Sequence, residues 1–202
     1  MLLSVPTTNQ QLTAALFEGI TTFILMSLLG HISGAHFNPA ITLAVGFVGH
    51  CRLVIGSCII FGQFLGAFIA SLFCRAFLAD AAFNSTFKYG IPEKDRYLYA
   101  NSTQAFFLEV IMSFVLCSAY LFTAVNSGGR QGKLSTVIVG FTRALVTYIG
   151  YRMIGHCANM AVSFGNAVSS AFFLCDSRLW SLLYIAVFAN LIGAFLASLC
   201  YW

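Results

Sequence analysis

Charge is the scarcest property of this chain. Of 202 residues only 8% are charged, with ten Lys and Arg against six Asp and Glu, while 59% are hydrophobic and the mean hydropathy is +0.88. A soluble globular domain carries about three times that share of charged residues, so the composition excludes one. The net charge of +4 is small and scattered, which argues against a nucleic-acid partner and against a polybasic lipid anchor. The opening Met1-Leu2-Leu3-Ser4-Val5-Pro6 lacks a basic region and a small-residue cleavage site, so no cleavable secretory signal is expected.

Other chemistry is absent as well. The seven cysteines, at 51, 58, 74, 117, 157, 175 and 200, are odd in number and mostly fall in apolar runs, which suits small packing residues rather than a disulfide framework. Cys157 stands apart, two residues before Asn159. No Cys-x-x-Cys occurs, and His31, His36, His50 and His156 form no pair with a carboxylate at helical spacing. No metal or cofactor is therefore expected. Asp80, Asp95 and Asp176 all fall at span ends or in loops, so a Ser-His-Asp arrangement has no support and an enzyme is not expected.

What the chain has is long apolar runs. Spans near 11–31, 53–79, 105–125, 134–154 and 180–201 are each long enough to cross about 30 Å of hydrocarbon. Two further segments, 38–49 and 159–170, are too short to cross and each follows an Asn. Asn is a strong N-cap, and Pro39 suits a first helical position because its missing N–H would be unpaired there anyway. These segments read as re-entrant half-helices. Irregular backbone at membrane depth is tolerated only when buried in protein or lining a watery cavity, so a pore is the natural host. The fold expected is an all-α membrane protein with five spanning helices and two half-helices.

The run 30–44, with His31-Ile32-Ser33-Gly34-Ala35-His36-Phe37-Asn38-Pro39-Ala40, resembles the first pore loop of the aquaporin (major intrinsic protein) family. Gly62-Gln63-Phe64-Leu65-Gly66-Ala67 resembles the family's third helix, residues 104–114 with Glu109 its fourth, and Asn159-Met160-Ala161-Val162-Ser163-Phe164-Gly165 its second pore loop. The resemblance implies one aquaporin-like domain over 1–202 built as an inverted repeat: a first repeat over 1–80, incomplete, a loop over 81–103 and a second repeat over 104–202. It implies that Asn38 and Asn159 meet near the midplane and donate to a file of water, while the opposed helix N-termini repel protons and cations. Glu109 would accept hydrogen bonds from the loop beneath the second half-helix. Homotetramers with one pore per subunit are also implied. So is a further spanning helix ahead of 11–31, whose glutamate would fall upstream of Met1; the expectation is a truncated reading frame or a shortened isoform.

The departures from the family pattern bear on selectivity. Met160 stands in place of the second Pro, and Val162 in place of an arginine that acts in the family as an electrostatic gate. The other constriction positions carried over by spacing are Glu18, Thr147 and His156, which together with Val162 give a filter unlike that of ordinary water channels. Ser163 stands where glycerol-conducting relatives carry Asp, which favours water over polyols, and Asn190 stands in place of a family Pro. Arg143 lies one turn before Thr147 on the same helix face. A guanidinium at that depth costs several kcal/mol unless paired or hydrated. Three outcomes are open: it pairs with Glu18 or another acceptor, it faces water and replaces the lost arginine from another wall, or it snorkels.

His31 and His36, flanking the first loop, read as hydrogen-bonding groups that order it. Two sequons, at Asn84 and Asn101, fall on the loop that the resemblance places outside, making them glycosylation candidates on a plasma-membrane or intracellular-membrane protein. The distribution of Lys and Arg gives no clear inside signal. The functional expectation is a passive channel for water or a small neutral solute. The alternatives are a non-conducting assembly or adhesion protein and an ion-permeable pore.

Overall fold

A computed structural model describes residues 8–88, 102–126, 133–153 and 158–202, and among these every regular element is helical. The first crossing, α1 (Thr8–Ser33), leads through a short loop into α2 (Pro39–Phe47), and α3 (Leu53–Phe77) follows. After the short α4 (Asp80–Lys88) come α5 (Ser102–Tyr120), which runs on into a π-helical turn over Leu121–Val125, and α6 (Lys133–Met153). The second Asn-capped half-helix is α7 (Met160–Phe173), and α8 (Arg178–Tyr201) follows. The expected spans and both half-helices are therefore present, with ends shifted by a few residues.

Local chemistry sets the limits of α2. Asn38 has extended backbone (φ −152°, ψ 122°) and its side chain accepts from Ala40 N–H, while Pro39 fills the first turn. At the other end Gly49 takes φ +79°, its N–H reaches the Gly46 carbonyl at 3.0 Å, and His50 N–H reaches that of Val45 at 3.0 Å. This double bond across a left-handed residue is the Schellman closure, and a glycine supplies its positive φ without steric cost.

Among the described residues four helices are long and apolar enough to cross a membrane: Gln11–Ser33, Leu53–Phe77, Ser102–Val125 and Leu182–Tyr201. The fifth expected span, α6, has a shorter apolar stretch, Leu134–Gly150, which lies between Lys133 and Arg152 and contains Arg143. With no water in the bilayer to drive them together, membrane helices associate by close packing of small residues. A Cβ added at Gly193 of α8 would sit 2.6 Å from Ser113 Cβ and 2.8 Å from the Val110 carbonyl of α5. Gly19 and Gly140 bring α1 and α6 together in the same way, and Gly165 sets α7 on the Ala67 backbone of α3. Gln11 meets Tyr148 and Phe23 meets Gly140, so α1 and α6 run antiparallel. By contrast α3 buries only Gly56 and Ser71, and Gly62 and Gly66 meet nothing within 4 Å.

The segment 81–103, expected to be a loop, opens with α4. Asp80 in its first turn complements the helix dipole and pairs with Arg75 at 2.9 Å, an exposed bridge of small energetic weight. Phe83 is buried, edge-on to Phe173 at 5.9 Å with the Arg75 guanidinium 5.4 Å above its ring. That apolar anchor winds the segment into helix, and Asn84 sits within it. Asp95 and Asn101 lie outside the described residues.

Candidate functional site

The two half-helices meet at their N-termini, and the meeting is reciprocal. Asn38 Oδ1 accepts from Ala40 N–H at 2.9 Å, and Asn159 Oδ1 accepts from Ala161 N–H at 3.1 Å and Val162 N–H at 3.4 Å. Each side-chain amide then donates across to the other loop: Asn38 Nδ2 to the Ala158 carbonyl, and Asn159 Nδ2 to the Phe37 carbonyl at 3.0 Å. Both residues are buried. An amide nitrogen carries two hydrogens, so each Asn keeps one N–H beyond its crossing bond. Pro39, Ala40, Met160 and Ala161, buried beside the caps, pack the junction.

The residue before each Asn lies in the left-handed region, Phe37 at φ +47° and Ala158 at φ +50°, as does Ala35 at +50°. Such values cost a non-glycine residue about 1–3 kcal/mol and persist only where the surroundings over-determine them. Here the surroundings do so. Glu109 Oε1 accepts from Ala158 N–H at 2.7 Å, and the Tyr120 hydroxyl donates to the Gly34 carbonyl at 2.6 Å. His36 Nδ1 is 3.1 Å from Thr42 Oγ1, which also accepts from Gln63 Nε2 at 3.1 Å, and the His36 ring stands edge-on to Tyr120. His36 thus orders the first loop, whereas His31 is exposed in the last turn of α1.

Glu109 is fully buried, and its Oε1 takes a second hydrogen bond from Asn190 Nδ2 at 2.7 Å. An acceptor for loop backbone was expected at Glu109; its partner on α8 was not. Asn190 is itself fully buried, and the signal for it was a lone amide in a long apolar run, where polar groups are costly and find partners. The Tyr120 hydroxyl, Thr42 and Gln63 were likewise not legible as loop supports.

Glu18, Arg143 and Thr147 gather on the seam between α1 and α6. Thr147 Oγ1 donates to Glu18 Oε2 at 2.6 Å, and Arg143 Nη2 lies 2.6 Å from the same oxygen. Of the three outcomes open to Arg143, the structure shows pairing with Glu18. The guanidinium side chain is 10% exposed and the carboxylate side chain 43%. Val162, in the first turn of α7, is 38% exposed. His156 and Cys157 lie outside the described residues. Among the described residues no cluster of His, Cys, Asp and Glu could hold a metal ion.

Residues 3–201 match the family model described as Major intrinsic protein. The chain is 30% identical over 191 residues to a "Probable aquaporin TIP-type" of Medicago truncatula, covering 94% of this chain and 70% of that one. To "Aquaporin-8" of Rattus norvegicus it is 28% identical over 163 residues, 80% of this chain and 60% of that one. To "Glycerol uptake facilitator protein-like 6" of Lactiplantibacillus plantarum it is 28% identical over 189 residues, 94% and 83%. The chain thus spans between 60% and 70% of the length of the first two relatives. The X-ray structure of the aquaglyceroporin from Plasmodium falciparum superimposes with a TM-score of 0.76 at 19% identity, covering 98% of this chain and 86% of that one, a likeness of fold. With its apolar crossings, the molecule is an integral, multi-pass membrane protein.

Proposed function

Because the chain belongs to the major intrinsic protein family, we propose that it is a passive channel for water or a small neutral solute, with a lumen centred on Asn38 and Asn159. The observation that carries this reading is the reciprocal capping. Two helix N-termini face each other, each closed by an amide that has one N–H committed to the opposite loop and one left for a passing molecule. Opposed positive dipole ends favour uncharged or electron-rich groups and disfavour cations. Members of the family are channels rather than enzymes, which supports a non-enzymatic reading.

Glu18, Thr147, His156 and Val162 form the constriction in this proposal, and the Glu18–Thr147 hydrogen bond supports placing two of them together. The domain is one unit with repeats over 1–80 and 104–202. Assembly as a homotetramer, glycosylation at Asn84 or Asn101, and residence in the plasma or an intracellular membrane belong to the same reading. Stopped-flow shrinkage of vesicles carrying the purified chain tests it: a water permeability well above empty vesicles is expected, with loss on Asn159→Asp. A second reading, a non-conducting assembly protein, is favoured by the Arg143–Glu18 pair, which ties α1 to α6 beside the constriction. Vesicles no more permeable than lipid alone would select it.

A further inference from the structure

We propose that Glu109 is held inside the bundle as the neutral carboxylic acid, with the hydrogen on Oε2 donated to Asn190 Oδ1, so that acid and amide form a doubly bonded pair that positions the loop ahead of α7. The assignment stands apart from conduction, and only the flux arm of its test rests on the channel reading above. The first support is a count of donors and acceptors. Glu109 Oε1 accepts from Ala158 N–H and from Asn190 Nδ2, each at 2.7 Å. Asn190 Nδ2 gives its other hydrogen to the Ala186 carbonyl, also at 2.7 Å. Two acceptors are left, Glu109 Oε2 and Asn190 Oδ1, both buried and both without a donor. Buried polar atoms are as a rule paired. Exchanging the amide oxygen and nitrogen of Asn190 does not help, because it would set the oxygen against two acceptors, Oε1 and the Ala186 carbonyl. Ser113 Oγ donates to the Asn190 backbone carbonyl at 3.2 Å, so its hydrogen is engaged elsewhere. One hydrogen on Oε2 turns that acceptor into a donor and satisfies both atoms at once.

The second support is charge. Glu109, Asn190 and Ala186 are all fully buried. A carboxylate taken out of water needs a counter-charge in contact or hydrogen bonds to both oxygens. Arg143 acts electrostatically on Glu109 as well as on Glu18, but its Nη2 lies 2.6 Å from Glu18 Oε2, and among the described residues the hydrogen bonds to Glu109 come from Ala158 and Asn190. One guanidinium thus stands between two carboxyl groups. With Glu109 neutral the three side chains sum to zero charge, whereas with Glu109 ionised they would carry a net negative charge inside an apolar bundle. The proton therefore does for Oε2 what backbone and amide do for Oε1. Asn190 is a positioning residue in this arrangement: it fixes the carboxyl group whose Oε1 holds the Ala158 backbone, and the Ala158 carbonyl in turn receives Asn38 Nδ2.

The test is infrared spectroscopy of the full chain in lipid vesicles at neutral pH, with glutamate isotopically labelled at its carboxyl carbon. A protonated-carboxyl C=O band that shifts with the label is expected in the parent, lost in Glu109→Gln and moved to higher frequency in Asn190→Leu, where the acid O–H has no amide oxygen to bond. A merely structural role for Asn190 would not move that band. Glu109→Gln offers the same donor and acceptor as the neutral acid, so it is expected to keep the parent's melting temperature and water flux, whereas Glu109→Leu offers neither and should lose both. If Glu109→Gln fails to fold, the labelled band of the parent and its shift in Asn190→Leu decide. A parent without the band, as for a carboxylate bridged by water, overturns the assignment. So does a band that persists in Glu109→Gln, or one that stays in place in Asn190→Leu. Absence of water flux in the parent overturns the channel reading alone and leaves the infrared result to decide this inference.

Discussion

Glu109 and Asn190, 81 positions apart on α5 and α8, share a 2.7 Å hydrogen bond in the fully buried interior, and the same carboxylate oxygen holds the backbone of Ala158. A single acceptor thus joins two crossings to the loop that presents the Ala158 carbonyl to Asn38. Removing it should loosen both. Glu109→Ala orphans the Ala158 N–H and leaves a void, together worth about 2–4 kcal/mol. Asn190→Ala leaves the tie between Glu109 and Ala158 in place, so it should keep more flux than Glu109→Ala. Thermal unfolding in detergent, paired with vesicle shrinkage, reads both effects.

Asn38→Asp separates capping from crossing. Aspartate still accepts from Ala40 N–H but cannot donate to the Ala158 carbonyl, so a loss of about 1–2 kcal/mol and a fall in water flux are expected. Asn38→Ala removes the cap as well and should cost about 1 kcal/mol more. Flux and stability of Asn38→Asp equal to the parent would remove the crossing bond from the argument.

Gly193 and Gly66 should respond oppositely to alanine. At Gly193 the added methyl meets Ser113 Cβ at 2.6 Å and backbone at 2.8 Å, so α5 and α8 must separate, at about 1–3 kcal/mol. At Gly66 nothing lies within 4 Å, and the better helix former should stabilise by up to about 1 kcal/mol. Melting temperatures of the two variants in one detergent make the comparison, and equal losses would contradict it.

The sequons test sidedness. Asn84 is set in α4 and remains partly accessible beside buried Phe83. Translation in the presence of microsomes should give one endoglycosidase-sensitive species, lost in Asn84→Gln and retained in Asn101→Gln. A parent chain with no endoglycosidase-sensitive species would contradict an outer position for this segment, and a species retained in Asn84→Gln but lost in Asn101→Gln would move the acceptor to Asn101.

The crossings were legible because hydropathy is a property of consecutive residues, and the start of α2 because Asn38-Pro39 is a local cap signal. Met160 in place of proline did not obscure α7, since Asn159 caps it unaided, accepting from two backbone N–H groups. The helix α4 was missed because its apolar side is short and its stabilising partners, Phe173 and Arg75, come from other elements. Helical spacing placed Arg143 on the face of Thr147 but left three fates open. Spacing fixes direction around an axis, not what stands opposite.

By itself, the sequence determined that this chain lives in a membrane, crosses it as helices and twice turns back at a capped Asn, since these follow from interactions between near neighbours. The tertiary structure alone decided that Asn38 reaches Ala158, that Glu109 takes Asn190, and that Arg143 settles on Glu18. Those partners lie between 81 and 125 positions apart, and only helices packed on small residues bring their polar groups close enough to satisfy each other where no solvent can.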